Sequence, residues 1–282
     1  MIKTVCIAGA GTMGSGIAQV AAQSGFDTIL YDINEDILHK GKSSIESNLQ
    51  SLINKKKISV EEKESILRRI TFSSNINDCI GDLVIEAIIE KAEAKIEIFN
   101  QLMQINKSET IFASNTSSLS INQIQAGIKK STTFAGMHFF NPAPVMKLVE
   151  IVKGSQTNDE TIETIFSVCK TMNKIPVVCN DSPGFIVNRI ARHYYLEAMK
   201  LVEQKIATIE NVDSIMEANG FKMGPFRLMD LIGIDINLAV SESIYGSLQH
   251  EKRFKPSSLQ IKKVQAGELG KKTGKGFYNY NG

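Results

Sequence analysis

The chain has 282 residues, 43% of them hydrophobic, which is enough to bury a full core and long enough to favour two domains. Its 32 basic and 30 acidic residues leave a formal charge of +2, so no global field draws in nucleic acid or a membrane surface. Any anionic ligand must therefore be bound by local features, and neither nucleic acid nor membrane is expected as a partner.

The N-terminus superficially resembles a secretory signal, with Lys3 before an apolar, alanine-rich stretch. Gly9, Gly11, Gly14 and Gly16 argue against this, because they would break a short apolar helix at every turn yet suit a strand-turn-helix. Residues 5–8 read as a strand and residues 13–23 as a helix, followed by a second strand over 28–31 that ends at Asp32. Between them lies GAGTMG at 9–14, a GxGxxG in its proper strand-turn-helix context. There Gly9 permits the tight turn, Gly11 lets backbone approach a pyrophosphate, and Gly14 lets the helix pack closely on the strand. Thr12 and Met13 complete the loop as cofactor-binding positions. Asp32, placed to accept hydrogen bonds from the adenosine ribose and to repel a 2′-phosphate, favours NAD over NADP without excluding NADP.

Residues 34–69 form a long polar segment with Ile37, Ile45, Leu49, Leu52 and Ile53 near helical spacing. It breaks near Ile58 and restarts with Ser59 and Glu62 as a capping box, which predicts a helical hairpin projecting from the sheet. Residues 83–88 and 111–114 are further strands, and the β-rich runs alternating with helices up to about residue 180 indicate a parallel sheet wrapped by helices. Residues 133–138 and 147–152 read as two strands separated by a turn containing Pro142 and Pro144. If the chain folds back near Pro144, His138 and Glu150 are cross-strand neighbours, and a carboxylate there would fix the imidazole tautomer. Hydride transfer to NAD needs a base for the alcohol proton, and an oriented histidine supplies one. Spacing alone leaves His138 divided between a structural and a catalytic role.

A turn at Asn180, Asp181, Ser182, Pro183 and Gly184 ends the strand at 175–179, and only helical periodicity follows. The expected architecture is α/β: a Rossmann-type domain over 1–182 with the hairpin inserted, then an all-α domain over 183–282. Only the tail at 270–276 looks irregular. The four cysteines include no CxxC pair and read as reduced structural thiols, so a soluble, untargeted, cytoplasmic protein is expected.

Several segments taken together resemble the (S)-3-hydroxyacyl-CoA dehydrogenases, most closely the short single-function bacterial 3-hydroxybutyryl-CoA dehydrogenases. They are GAGTMGSGIAQ (9–19), EAIIEK (86–91), ASNTSSL (113–119), AGMHFFNPAPVMKLVEIV (135–152), DSPGFIVNRI (181–190), MGPFRLMDLIG (223–233) and KKTGKGFYNY (271–280). The resemblance implies His138 as acid/base, Glu150 as its partner, Ser117 in contact with substrate and nicotinamide, and Asn188 polarising the reacting group. It implies Asn141, Glu90, Lys95 and Lys272 as cofactor contacts, although from sequence alone an ordinary solvated charge describes Glu90, Lys95 and Lys272 equally well. For the acyl-CoA it points to the hairpin, through Lys55 in the run 55–57 and Asn48, which stands where some relatives carry Ser. A homodimer through the C-terminal domain is expected, because apolar stretches over 228–232 and 234–240 exceed what about 100 residues bury alone. The alternatives are a β-hydroxyacid dehydrogenase acting on a free acid and a non-catalytic, crystallin-like NADH-binding protein.

Overall fold

The computed structural model describes residues 1–129 and 131–280. The chain divides into two compact units, Met1–Asp181 and Ser182–Gly282. The first contains β1 (Thr4–Ala8), α1 (Thr12–Gln23), β2 (Asp27–Tyr31), α2 (Glu35–Asn54), α3 (Val60–Arg68), β3 (Ile70–Ser73) and β4 (Leu83–Glu86). It continues through α4 (Ala92–Ile105), β5 (Ile111–Ser114), α5 (Ile121–Gly127), β6 (Phe134–Phe139), β7 (Leu148–Lys153), α6 (Asp159–Thr171) and β8 (Ile175–Asn180).

These strands form one sheet in the order β3-β2-β1-β4-β5-β6-β7-β8. Every pair is parallel except β6 with β7. The order reverses between β1 and β4, and an open sheet leaves a crevice at the carboxyl ends of strands at such a reversal. The central strands are apolar on both faces: residues 5–8 of β1 and all of β4 and β5 are buried, as helices on both sides of a parallel sheet require.

The sequence reading missed β3. Its four residues lie at the sheet edge directly after α3, too short a run to show a period. It also carried the fourth strand to residue 88, whereas β4 ends at Glu86 and residues 87–91 turn away over the glycine loop, Ala87 N–H donating to Ala8 O at 2.7 Å.

The helical hairpin is α2 and α3. Asn34 Oδ1 caps α2 by accepting from the N–H groups of Asp36 and Ile37. The capping box is present: Glu62 N–H donates to Ser59 Oγ at 3.1 Å, and Ser59 N–H to Glu62 Oε2 at 2.7 Å. The hairpin does not simply project. Ile45 and Leu49 of α2 are fully buried in the first unit's core with Ile66 of α3, each side chain contributing about 1.5–3 kcal/mol by its burial. The turn at 54–57 is exposed, as are the first residues of α3 at 60–62.

The second unit is helical: α7 (Val187–Glu203), α8 (Ile209–Ala218), α9 (Pro225–Ile232), α10 (Ile234–Ser247) and α11 (Ser258–Gln265). Its core gathers Tyr195, Met199, Val212, Phe226, Met229 and Ile234. The C-terminal segment that includes the 270–276 stretch is held, through residues 277–280, by two buried carboxylates. Asp230 accepts from the N–H groups of Phe277 and Tyr278 and from the Tyr280 hydroxyl, and Asp213 accepts from the Tyr278 hydroxyl. Asp213 also accepts from Phe226 N–H and Arg227 N–H in the first turn of α9, where its negative charge complements the positive end of the helix dipole. Among the described residues no helix is long and apolar enough to cross a membrane.

Candidate active site

The glycine loop follows β1 directly. Gly9 has φ +106°, and a Cβ there would lie 2.6 Å from Ala87 O, so only glycine serves at this turn. At Gly14 a Cβ would stand 1.7 Å from Gly9 O, which is how closely α1 approaches its own loop. Gly11 differs: its φ is −66° and a Cβ would meet no protein atom within 4 Å. Nothing in the protein demands glycine there, but a ligand seated against the backbone would.

The start of α1 fits an anion. Gly11, its N-cap, offers no side-chain acceptor, its first turn holds no acidic residue, and Ser15 N–H makes the first bond back to Gly11 O at 2.9 Å. The N–H groups of Thr12, Met13 and Gly14 thus lack a helical partner, and the helix dipole adds partial positive charge. Asp32, just past β2, accepts from Ala10 N–H at 2.8 Å and from Asn34 N–H at 3.0 Å, so its carboxylate braces the loop. Beside it an apolar groove of about 610 Å³ is lined by Gly9, Gly11, Asp32, Ile33, Ile89 and Ile98, dimensions and polarity suited to an adenosine moiety.

A second group of residues sits further along the same sheet. Antiparallel pairing places His138 of β6 opposite Glu150 of β7. Their side chains meet, Nδ1 to Oε2 at 2.8 Å, with His138 3% and Glu150 1% exposed. A carboxylate only accepts, so Nδ1 carries a proton, and in the neutral imidazole Nε2 is the nitrogen left with its lone pair. Ser117 Oγ lies 3.0 Å from that Nε2. The Phe140 ring stands 4.6 Å from the imidazole, centroid to centroid, closing one side. Ser117 reaches this place because β5 ends at Ser114, and the following loop is tied to β6 by Phe139 N–H donating to Asn115 Oδ1 at 2.9 Å.

Glu90 and Lys95 belong to an ionic cluster beneath that loop. Lys95 is 1% exposed, which removes the solvated-charge reading for it. Its Nζ lies 2.6 Å from Glu86 Oε1 and 3.2 Å from Glu90 Oε2. Sequence reasoning missed Glu86, although a glutamate ending an otherwise apolar strand was a legible signal. Burial raises the Glu86 carboxyl against the opposing pull of Lys95 and its hydrogen bonds. For Glu90 burial also works upward, but Lys95 and the donors from Thr116 and Ser117 outweigh it and hold the group below the usual carboxylate range. Glu90 is therefore ionised at neutral pH.

In the first unit the remaining candidates are Asn141, Asn48 and Lys55. Asn141 is exposed just beyond β6. Asn48 is exposed on α2, its Nδ2 donating to Gln19 Oε1 at 3.3 Å, and Lys55 is exposed at the C-cap of the same helix. In the second unit, Asn188 lies in the first turn of α7, where its carbonyl accepts from Arg192 Nε at 3.2 Å. Lys272 pairs with Asp235, Nζ to Oδ1 at 2.6 Å.

With this geometry in view, comparison with known proteins places the chain. The family description "3-hydroxyacyl-CoA dehydrogenase, NAD binding domain" matches residues 4–182, and "3-hydroxyacyl-CoA dehydrogenase, C-terminal domain" matches residues 184–280. The chain belongs to the 3-hydroxyacyl-CoA dehydrogenase family. NAD is accordingly the cofactor, and the family is one of oxidoreductases. The chain is 44% identical to a probable 3-hydroxybutyryl-CoA dehydrogenase of Deinococcus radiodurans, over 97% of this chain and 99% of that protein. It is 43% identical to the 3-hydroxyadipyl-CoA dehydrogenase of Escherichia coli over 99% of this chain, but spans only 59% of that longer protein. The crystal structure of (S)-3-hydroxybutyryl-CoA dehydrogenase from Ralstonia eutropha is similar throughout, with a TM-score of 0.96, 40% identity and full coverage of both chains.

Proposed function

We propose that this chain catalyses the reversible NAD-dependent oxidation of a short (S)-3-hydroxyacyl-CoA, 3-hydroxybutyryl-CoA, to the 3-ketoacyl-CoA. The observation that carries the reading is the imidazole of His138 held between the Glu150 carboxylate and the Ser117 hydroxyl. When bound, NAD supplies the acceptor for the hydride leaving C3. His138 Nε2 takes the hydroxyl proton as the C3–O bond becomes a carbonyl, and returns it to the forming alkoxide in the reverse direction. Glu150 keeps the Nδ1 proton in place and compensates the imidazolium charge as it forms. Ser117, which shares its hydroxyl with Nε2, exchanges that contact for the substrate oxygen and so holds the oxygen beside the base. Asn188 polarises the reacting group. Asn141 and Lys272 contact the cofactor, and Asn48 and Lys55 contact the acyl-CoA; support for these roles comes from the motifs they share with the family.

The deciding assay follows NADH oxidation with acetoacetyl-CoA, then with longer 3-ketoacyl-CoA substrates and with NADPH. Turnover greatest with acetoacetyl-CoA, and greater with NADH than NADPH, is the expected result. Inert enzyme with bound NADH would instead establish the non-catalytic alternative, and a flat chain-length profile would defeat the short-chain assignment.

The reading includes a homodimer formed by the second unit, supported by Ile190, Leu231, Ile232 and Ile236, which are 69%, 51%, 39% and 50% exposed on α7, α9 and α10. Sedimentation velocity should show a dimer that Ile236→Glu shifts toward monomer; a wild-type monomer at micromolar concentration would refute it. A cytoplasmic setting is supported by cysteines 6, 79, 169 and 179, all four unpaired.

A further inference from the structure

We infer that Glu90 is a positioning residue that fixes the Ser117 loop against His138, with buried Lys95 holding the Glu90 carboxylate in place. The inference rests on the proposed dehydrogenase reading, but the geometry it uses is independent of any substrate. Four donors converge on one oxygen, Glu90 Oε1: Thr116 Oγ1 at 2.6 Å, Ser117 N–H at 2.9 Å, Ser118 Oγ at 3.0 Å and Ser118 N–H at 3.1 Å. The other oxygen faces Lys95 Nζ at 3.2 Å. Successive backbone N–H groups turned onto one anion lock the dihedral angles of the residues that carry them. Here those residues are Ser117 itself and its neighbour. Thr116 Oγ1 passes the restraint onward, accepting from Leu119 N–H at 2.9 Å while it donates to Glu90.

The support beneath Glu90 is rigid. Lys95 Nζ is fixed on Glu86 Oε1, and Glu86 in turn accepts from Ile88 N–H and from Ser114 Oγ, each at 2.7 Å. An unbroken line of contacts therefore runs from Glu86 at the end of β4, through Lys95 of α4 and Glu90, to Ser117, His138 and Glu150. A loop without regular structure ordinarily samples several conformations, and a hydroxyl at its tip would be poorly placed. The anion beneath it removes that freedom.

Two measurements test this. Glu90→Gln removes the charge that attracts four donors and the Lys95 ammonium, while preserving size. Hydrogen exchange at the Ser117 and Ser118 amides should accelerate by about 10-fold or more, with exchange in β1 and β4 unchanged. In parallel, kcat with acetoacetyl-CoA should fall by roughly 10- to 100-fold, the scale of a misplaced reacting group. In a Ser117→Ala background the same substitution should change kcat by less than about twofold, because the group it positions is gone. Thr116→Val, which removes one donor and leaves every charge, should move both readouts in the same direction by less, and decides the matter if Glu90→Gln does not fold. Unchanged amide exchange, or an equal kcat loss with and without Ser117, overturns the inference. Wild-type protein inert toward acetoacetyl-CoA would instead defeat the dehydrogenase reading, leaving the exchange measurement to judge the loop.

Discussion

Replacing His138 with Gln is expected to lower kcat for acetoacetyl-CoA reduction by about 10²- to 10⁴-fold, the range of a lost general acid-base group. The dissociation constant for NADH should change by less than about twofold, because binding made equally in ground and transition states is untouched. The reason lies in placement: the imidazole is in the first unit's sheet between Glu150 and Ser117, whereas the glycine loop follows β1. Gln fills similar space and its amide can still face Glu150, so the fold should survive in this 3% exposed position. Glu150→Gln is a graded companion. Its oxygen still accepts the Nδ1 proton and preserves the tautomer, but the charge that balances imidazolium is lost. A charged hydrogen bond contributes about 1.5–3 kcal/mol against about 1 for a neutral one, so a loss of roughly 10-fold is expected. Stopped-flow single turnovers with NADH fluorescence read both variants, and substantial turnover by His138→Gln would sink the base assignment.

The second large effect concerns the glycine loop. Gly14→Ala places a methyl 1.7 Å from Gly9 O, a clash of backbone against side chain that no rotamer relieves. The start of α1 must shift away from β1, with an overpacking penalty of about 3 kcal/mol. For a unit of this size that corresponds to a fall in Tm of roughly 6–12 °C. The displaced N–H groups should also weaken NADH binding by about 10-fold or more, each decade requiring only about 1.4 kcal/mol. Gly11→Ala is the informative control. Its Cβ meets no protein atom and its φ suits any residue, so Tm should hold while NADH affinity falls by a similar factor. Calorimetry and NADH titration on the pair separate packing from ligand approach. Equal loss of stability in both variants would show that the loop glycines serve the fold alone.

Features that depend on near neighbours in the chain were legible in the sequence. The strand-glycine-helix of β1 and α1, the Ser59 and Glu62 capping box, and the antiparallel β6-β7 pair follow from turn chemistry and spacing over a dozen residues or so. A chain that folds back near Pro144 brings His138 opposite Glu150 by spacing alone. Only the tertiary structure decided what rests on long-range contact. The short edge strand β3 carries no period of its own and exists because β2 offers it a ladder. The hairpin's depth of burial depends on the packing of Ile45 and Leu49 into a core shared with α1 and the sheet. The tail becomes ordered because Asp230, some 47 residues earlier, supplies acceptors for its N–H groups. The ionic cluster under Ser117 joins residues from three segments, and its 27-residue gap between Glu90 and the serine leaves no mark on local pattern. The glycine loop and Asp32 point by themselves to a nicotinamide dehydrogenase, while the reaction and most of the residues expected to perform it come from the resemblance to a family. The approach of distant groups in a water-poor interior, where a buried charge must find its partner, determined how firmly those residues are held.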